Sequence, residues 1–242
     1  MAHRGDRGCR AEGLASPIES NTLKERPGED DFMINLYLIR HGRQNSTLCN
    51  VDVELSEAGR DQAKLLADRM MGYQLDALYS SQLLRAVQTA EFISQATRLP
   101  ITIREELQEI SFGQLTGLTE QQINEDFCEF KKEQYQLLED IPYPGGENGT
   151  SVYERAMPVI QELLQSGKKN IAIVTHGGVI KVLLAALFGK TQAKRFLFAL
   201  SLENTSITQL IYQPQTDRFY LERFNDYAHL EGHPELLRKY FI

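Results

Sequence analysis

The stretch LYLIRHGRQN carries four apolar or aromatic residues from Leu36 straight into Arg40 and His41, and then a glycine. Far along the chain, NIAIVTHGGVIK ends its apolar run in the same way at His176, followed by Gly177 and Gly178. A third block, YSSQLLRAVQTA, brings Arg85 to the start of what reads as a helix. If these segments are neighbouring parallel strands, two histidines and two arginines share the rim where open α/β sheets bind ligands. A guanidinium offers planar, forked donors that fit phosphate oxygens. The N–H groups of Gly177 and Gly178, at the positive end of a helix, would add to the same trap. Nearby cations lower the pKa of an imidazole, which keeps one histidine neutral and nucleophilic near pH 7. The same field stabilises a phosphoryl group in transit.

The elements that must position these groups alternate. Residues 34–39 read as a buried strand, and 56–72 as a helix with Ser56 as N-cap, Gly72 as stop and Ala63, Leu66 and Met70 on its inner face. LDALYSS and ITIRE read as the second and third strands, with a helix over 83–96 between them. Residues 119–138 read as one polar, partly aromatic helix, and IPYPGGENG as a loop. A helix over 150–166 contains Pro158, which predicts a kink or local break. NIAIVT is a strand, and the mostly apolar GGVIKVLLAALFG a buried helix. Two strands near 205–212 and 218–223 close the chain, joined by a turn at Pro214–Asp217. Strand–helix alternation predicts an α/β three-layer sandwich with a mainly parallel central sheet.

The 242 residues allow a substantial core, with 42% hydrophobic and 24% charged residues. The net charge of −7 opposes a nucleic-acid partner, which calls for a basic chain, yet admits a local cationic pocket. Cys9, Cys49 and Cys128 are odd in number and lack metal-ligand spacing, which fits a reducing cytoplasm. No apolar run reaches the length of a membrane span, and none marks a signal peptide. Residues 1–32, rich in Gly, Pro, Ser and charge, read as a disordered N-terminal extension. Met33 then reads as the natural start of a single domain over 33–242.

In order, LIRHG, DVELSEAGRDQA, YSSQLLRAVQTA, ELQEISFGQLTG, PGGEN and VTHGG resemble the blocks of the histidine phosphatase superfamily, the phosphoglycerate mutase-like proteins. They cover most of residues 34–190. The tripeptide RHG alone is weak evidence; the blocks in order are strong. The resemblance implies a metal-independent, cofactor-free phosphatase that hydrolyses small phosphorylated metabolites through a phosphohistidine. His41 would be the nucleophile, with Arg40, Arg85, His176 and the Gly177 N–H binding the phosphoryl oxygens. Glu109, matched through EISFG, would protonate the leaving alkoxide and then activate water.

Relatives place Thr or Ser and then Asn where this chain has Gln44 and Thr47, and Asn45 reads as a substitute phosphate contact. A phosphoglycerate mutase is the first rival. Phe112 before Gly113, where mutases carry Tyr, and the absence of a paired-arginine insert favour hydrolysis. The second rival is a non-catalytic phosphate- or phosphoprotein-binding module; such a module has no need of the His41–Glu109 pair. Glu105 and Glu106 read as a solvated acidic run, and Glu147 as a contact to the loop backbone. His229 and His233 read as a surface tail, because Gly232 and Pro234 break the helix that paired metal ligands would need. Phe127, Phe130 and Tyr135 read as packing for a cap, 119–148, over the site. That segment carries no recognisable specificity motif, so sugar phosphates, phosphoglycerate, phosphoserine and α-ribazole phosphate all stand as candidate substrates. The sequence carries no sign of oligomeric state.

Overall fold

The computed structural model describes residues 33–238; the expectation of disorder over 1–32 lies outside them. Six strands form one sheet in the order β3-β2-β4-β1-β5-β6. These are β1 Ile34–Arg40, β2 Ala77–Ser80, β3 Ile101–Ile103, β4 Asn170–Thr175, β5 Ile207–Gln213 and β6 Arg218–Asp226. The first four are mutually parallel, β5 runs antiparallel to β1, and β6 antiparallel to β5. The sheet is mixed and mainly parallel, as the alternation predicts.

Side-chain alternation within the central strands builds the layers. Leu36 and Leu38 of β1, with Ile171 and Ile173 of β4, face one core, under helices α5 Gly149–Leu164 and α6 Gly177–Leu187. Tyr37 and Ile39, with Ala172 and Val174, face the other, under α1 Glu57–Met70 and α2 Leu84–Thr97. The chain leaving β1 passes to α1 and β2 on one side, and the chain leaving β4 passes to α6 and β5 on the other. Adjacent strands whose connections diverge open a crevice at their carboxyl ends. Here that crevice lies at Arg40 and Thr175, partners in the β1–β4 register.

Ser56 caps α1, its side chain accepting from Gly59 N, and Ala63, Leu66 and Met70 are fully buried. The stop differs from expectation. The helix ends at Met70, a 3₁₀ turn covers Met71–Tyr73, and the left-handed residue is Gln74 rather than Gly72. Pro158 does not break α5, which is continuous. Pro158 and Glu154, whose carbonyl loses its partner, both lie on the exposed face, where water solvates that carbonyl. The single helix expected over 119–138 is two, α3 Glu120–Asp126 and α4 Cys128–Tyr135, divided at Phe127. Neither buries a residue fully; Ile123, Phe127 and Phe130 rest on the core only partly buried. Among the described residues no helix is long and apolar enough to cross a membrane.

Candidate active site

The two histidines meet. His41 N donates to Thr175 O at 3.0 Å, and the rings of His41 and His176 lie 5.0 Å apart between centroids. Both are buried. His41 Nδ1 donates to the Gly42 carbonyl at 2.7 Å. A carbonyl only accepts, so Nδ1 carries the proton and Nε2 keeps its lone pair. Arg85 Nε donates to that lone pair at 3.2 Å. Burial, then Arg85 and Arg40, hold the His41 imidazole well below the ordinary histidine range, so it is neutral at pH 7. Burial, then His41 and the two arginines, do the same for His176. Ser81 Oγ accepts the Leu83 N–H and lies 2.9 Å from His176 Nε2. His176 Nδ1 is a buried atom with no protein partner among the described residues.

Arg85 is nearly fully buried at the start of α2 and is aimed by Val51 O at 3.0 Å and Asn50 Oδ1 at 2.9 Å. Arg40 donates to Ser201 Oγ and Leu202 O, while its Nε is buried without a partner among the described residues. Burial and then Arg238 lower the Arg40 guanidinium to about 9, which leaves it charged at pH 7. Glu109 accepts Ile110 N at 2.9 Å on one oxygen and Gly178 N at 3.2 Å on the other. The Gly178 N–H expected for phosphate is therefore committed to the carboxylate.

A cavity of about 640 Å³ is walled by Arg40, His41, Arg85 and Glu109, with Thr47 and Asn204. A smaller one of about 180 Å³ shares Arg40, Glu109 and Phe112 with it and takes in Gly177 and Tyr143. His176 reaches neither wall and is fully buried beside His41. No residue of α3 or α4 lines either cavity, so of the expected cap only Tyr143 borders the site. Phe127 and Phe130 pack on the core, but Tyr135 is exposed, with Lys131 near its ring. Asn45 turns away to Glu54 Oε1 at 2.8 Å and is exposed. Glu147 does bond the loop backbone, at Ser111 N, and also pairs with Arg155. His233 is exposed, as expected of a surface tail. His229 is not: it is half-buried between Arg69 Nη1 at 3.3 Å and Thr205 Oγ1 at 3.0 Å, because the tail packs back on α1.

Several site residues escape sequence reasoning. Asn204 Nδ2 donates to the His41 carbonyl at 2.9 Å. Thr205 N donates to Arg40 O at 3.0 Å. Thr205 sits at φ +59, a conformation that costs a β-branched residue about 1–3 kcal/mol and is held only by dense surroundings. Arg155 ties Glu147 to the carbonyls of Glu106 and Glu109 and so fixes the segment that carries the Glu109 carboxylate. The one available signal is the polar run ENTS ahead of β5, which is buried throughout.

A family model described as the histidine phosphatase superfamily, branch 1, matches residues 36–227. Phosphoserine phosphatase 1 of Hydrogenobacter thermophilus is 30% identical over 175 residues, covering 69% of this chain and 82% of its own. Phosphoglycerate mutase-like protein 4 of Arabidopsis thaliana is 30% identical over 212 residues, covering 84% and 90%. The solved structure of a mycobacterial glucosyl-3-phosphoglycerate phosphatase with inorganic phosphate aligns at a TM-score of 0.73 with 30% identity, covering 81% of this chain and 99% of that one. The match over most of the chain, with the histidines and arginines brought to one crevice, places this protein in the histidine phosphatase superfamily, branch 1.

Proposed function

We propose that this chain, a phosphoric monoester hydrolase, cleaves small phosphomonoesters without a metal through a phosphohistidine on His41. The observation that carries the reading is the His41 tautomer: a proton on Nδ1 bonded to the Gly42 carbonyl, and a lone pair on Nε2 facing Arg85. Nε2 attacks phosphorus, the ester P–O bond breaks, and Glu109 gives its proton to the leaving oxygen. Water then attacks the phosphohistidine and gives a proton to Glu109, and the P–N electron pair returns to Nε2. Arg85 Nε releases the lone pair as the dianion arrives and turns its donors to the phosphoryl oxygens, with Arg40 opposite. The Gly177 N–H joins these donors, and in this reading the buried His176, its ring 5.0 Å from that of His41, backs them with a proton on Nδ1. A reducing cytoplasm belongs to the same reading and fits the free Cys49 and Cys128.

The test is p-nitrophenyl phosphate hydrolysis by the wild type and by His41→Ala, with acid quenching of labelled enzyme in mid-turnover. The expected result is activity indifferent to chelator, its loss in the folded variant, and an acid-labile, base-stable phosphoryl label present only in the wild type. A label that persists in His41→Ala overturns the assignment. Interconversion of phosphoglycerates without phosphate release would instead make the chain a mutase.

A further inference from the structure

Beyond β6 the chain turns back over α1, and its last described residues arrive at the larger cavity. Their course is pinned by side chains from three separate elements. Gln62 of α1, fully buried, donates to Leu236 O at 2.8 Å. Arg43 donates to Leu236 O at 2.6 Å and Leu237 O at 3.2 Å. Glu203, 2% exposed, spends its carboxylate on two backbone donors, Asn204 N at 2.9 Å and Arg238 N at 3.1 Å. A buried carboxylate is costly unless its hydrogen bonds are made, and here one of those bonds fixes the backbone of Arg238. The Arg238 side chain then bonds Ser201 Oγ and forms part of the cavity wall.

The charges on that wall are uneven in purpose. Arg40, Arg43, Arg85 and Arg238 all line it. Among the described residues each donates to neutral acceptors, and none is paired with a carboxylate. Arg40 and Arg85 flank the His41 imidazole and suffice for one phosphoryl dianion. Arg43 is occupied by the tail carbonyls. Of the acids on the wall, Glu109 is held by two N–H groups, and Glu235 lies 3.3 Å from His233. Arg238 remains, a forked cation whose side chain has one hydroxyl partner among the described residues, set in place by a buried anchor and open to the cavity.

We propose that Arg238 is a specificity-determining residue that receives a second anionic group of the substrate, a carboxylate or a second phosphate, while Arg40 and Arg85 hold the phosphoryl group to be transferred. The proposal rests on the phosphatase reading above and narrows its substrate class to phosphomonoesters with two anionic groups. A planar guanidinium fits either anion in a bidentate manner that an ammonium does not.

Two matched pairs test it: 3-phosphoglycerate against glycerol 3-phosphate, and fructose 1,6-bisphosphate against fructose 6-phosphate. The members of each pair differ in the second anion. The wild type is expected to favour the member with the second anion in at least one pair by roughly tenfold or more in kcat/KM, the scale of one retained charge contact. The pair that shows the preference says which anion the site takes. Arg238→Ala should erase that preference, mainly through KM, and leave p-nitrophenyl phosphate and the members without a second anion within about twofold. Arg238→Lys should fall between the two. Equal loss on both members of a pair, no loss on either, or a wild type with no preference or no turnover on both pairs overturns the proposal. A wild type that fails to cleave p-nitrophenyl phosphate sinks the underlying phosphatase reading as well, so the two failures are separate.

Discussion

At Glu109 each carboxylate oxygen accepts one backbone N–H, from Ile110 and from Gly178. Those bonds fix the orientation of the group, and its remaining lone pairs face the space shared by the two cavities. A proton donor matters in proportion to how poor the leaving group is. Glu109→Gln should slow alkyl phosphate esters by about 10²–10⁴-fold, the usual worth of general acid catalysis. p-Nitrophenolate departs without a proton, so its ester should be slowed far less. Comparison of kcat/KM for the two ester classes checks this, and equal slowing of both would move the acid elsewhere. At this scale the sequence shows what strand ends carry. Arg40, His41 and His176 end apolar runs, and Arg85 opens a helix, so their types and places give them away. Glu109 is legible only through its spacing in EISFG, since Glu105 and Glu106 are chemically the same. Asn204 and Thr205 show only as part of the polar run ENTS and their roles are not legible, because they act on the backbone carbonyls of Arg40 and His41, and a carbonyl is the same in every residue.

Among the elements, the start of α6 is the most constrained. A Cβ on Gly178 would lie 2.3 Å from Glu109 Oε1 and 3.0 Å from Ile110 Cγ2, so only glycine lets the carboxylate approach the helix end. Gly178→Ala should therefore displace Glu109 and lower kcat on alkyl phosphates by about tenfold or more, while alanine's helix propensity keeps α6 intact. Far-ultraviolet circular dichroism and the thermal midpoint should stay near wild type as activity falls; full activity in the variant would show that the carboxylate tolerates the move. Gly59 plays a like part where the loop after His41 crosses α1, with a Cβ there 2.1 Å from Arg43 O. The buried strands and the helices packed on them were legible because apolar periodicity records burial, as in the alternation of Leu36 and Leu38 with Tyr37 and Ile39. The break at Phe127 was not, since α3 and α4 are polar and bury no residue fully. Gly72 has the residue type of a helix stop, but the chain continues through a 3₁₀ turn and reverses at Gln74.

Over the whole molecule, a chain of hydrogen bonds connects the packed tail to the nucleophile. Arg69 of α1 pairs with Asp226 and donates to His229 Nδ1. His229 Nε2–H donates to Thr205 Oγ1, whose own proton goes to Asn204 O, and Asn204 Nδ2 holds the His41 carbonyl. The arrangement needs a neutral His229. Burial, then the Arg69 charge, lower its pKa to about 4, and Asp226 only partly opposes them. An unfolded chain protonates this histidine near 6.5. Between pH 6.5 and 4 the unfolded state therefore binds the extra proton, and stability falls as pH falls. At about 1.4 kcal/mol per pH unit the group removes roughly 3 kcal/mol by pH 4. His41 and His176, lowered in the same direction, deepen the loss. The Asp226 carboxylate, held low by Arg69, gives stability that is present above the ordinary Asp pKa and lost only in stronger acid, so it follows the histidine window. Urea unfolding from pH 7 to 4 should show the midpoint falling through that window. His229→Gln offers the same acceptor to Arg69 and the same donor to Thr205 but cannot charge, so its midpoint should fall less steeply by an amount near the His229 share. Parallel slopes for the two proteins would remove His229 from the account and leave the acid sensitivity to His41 and His176.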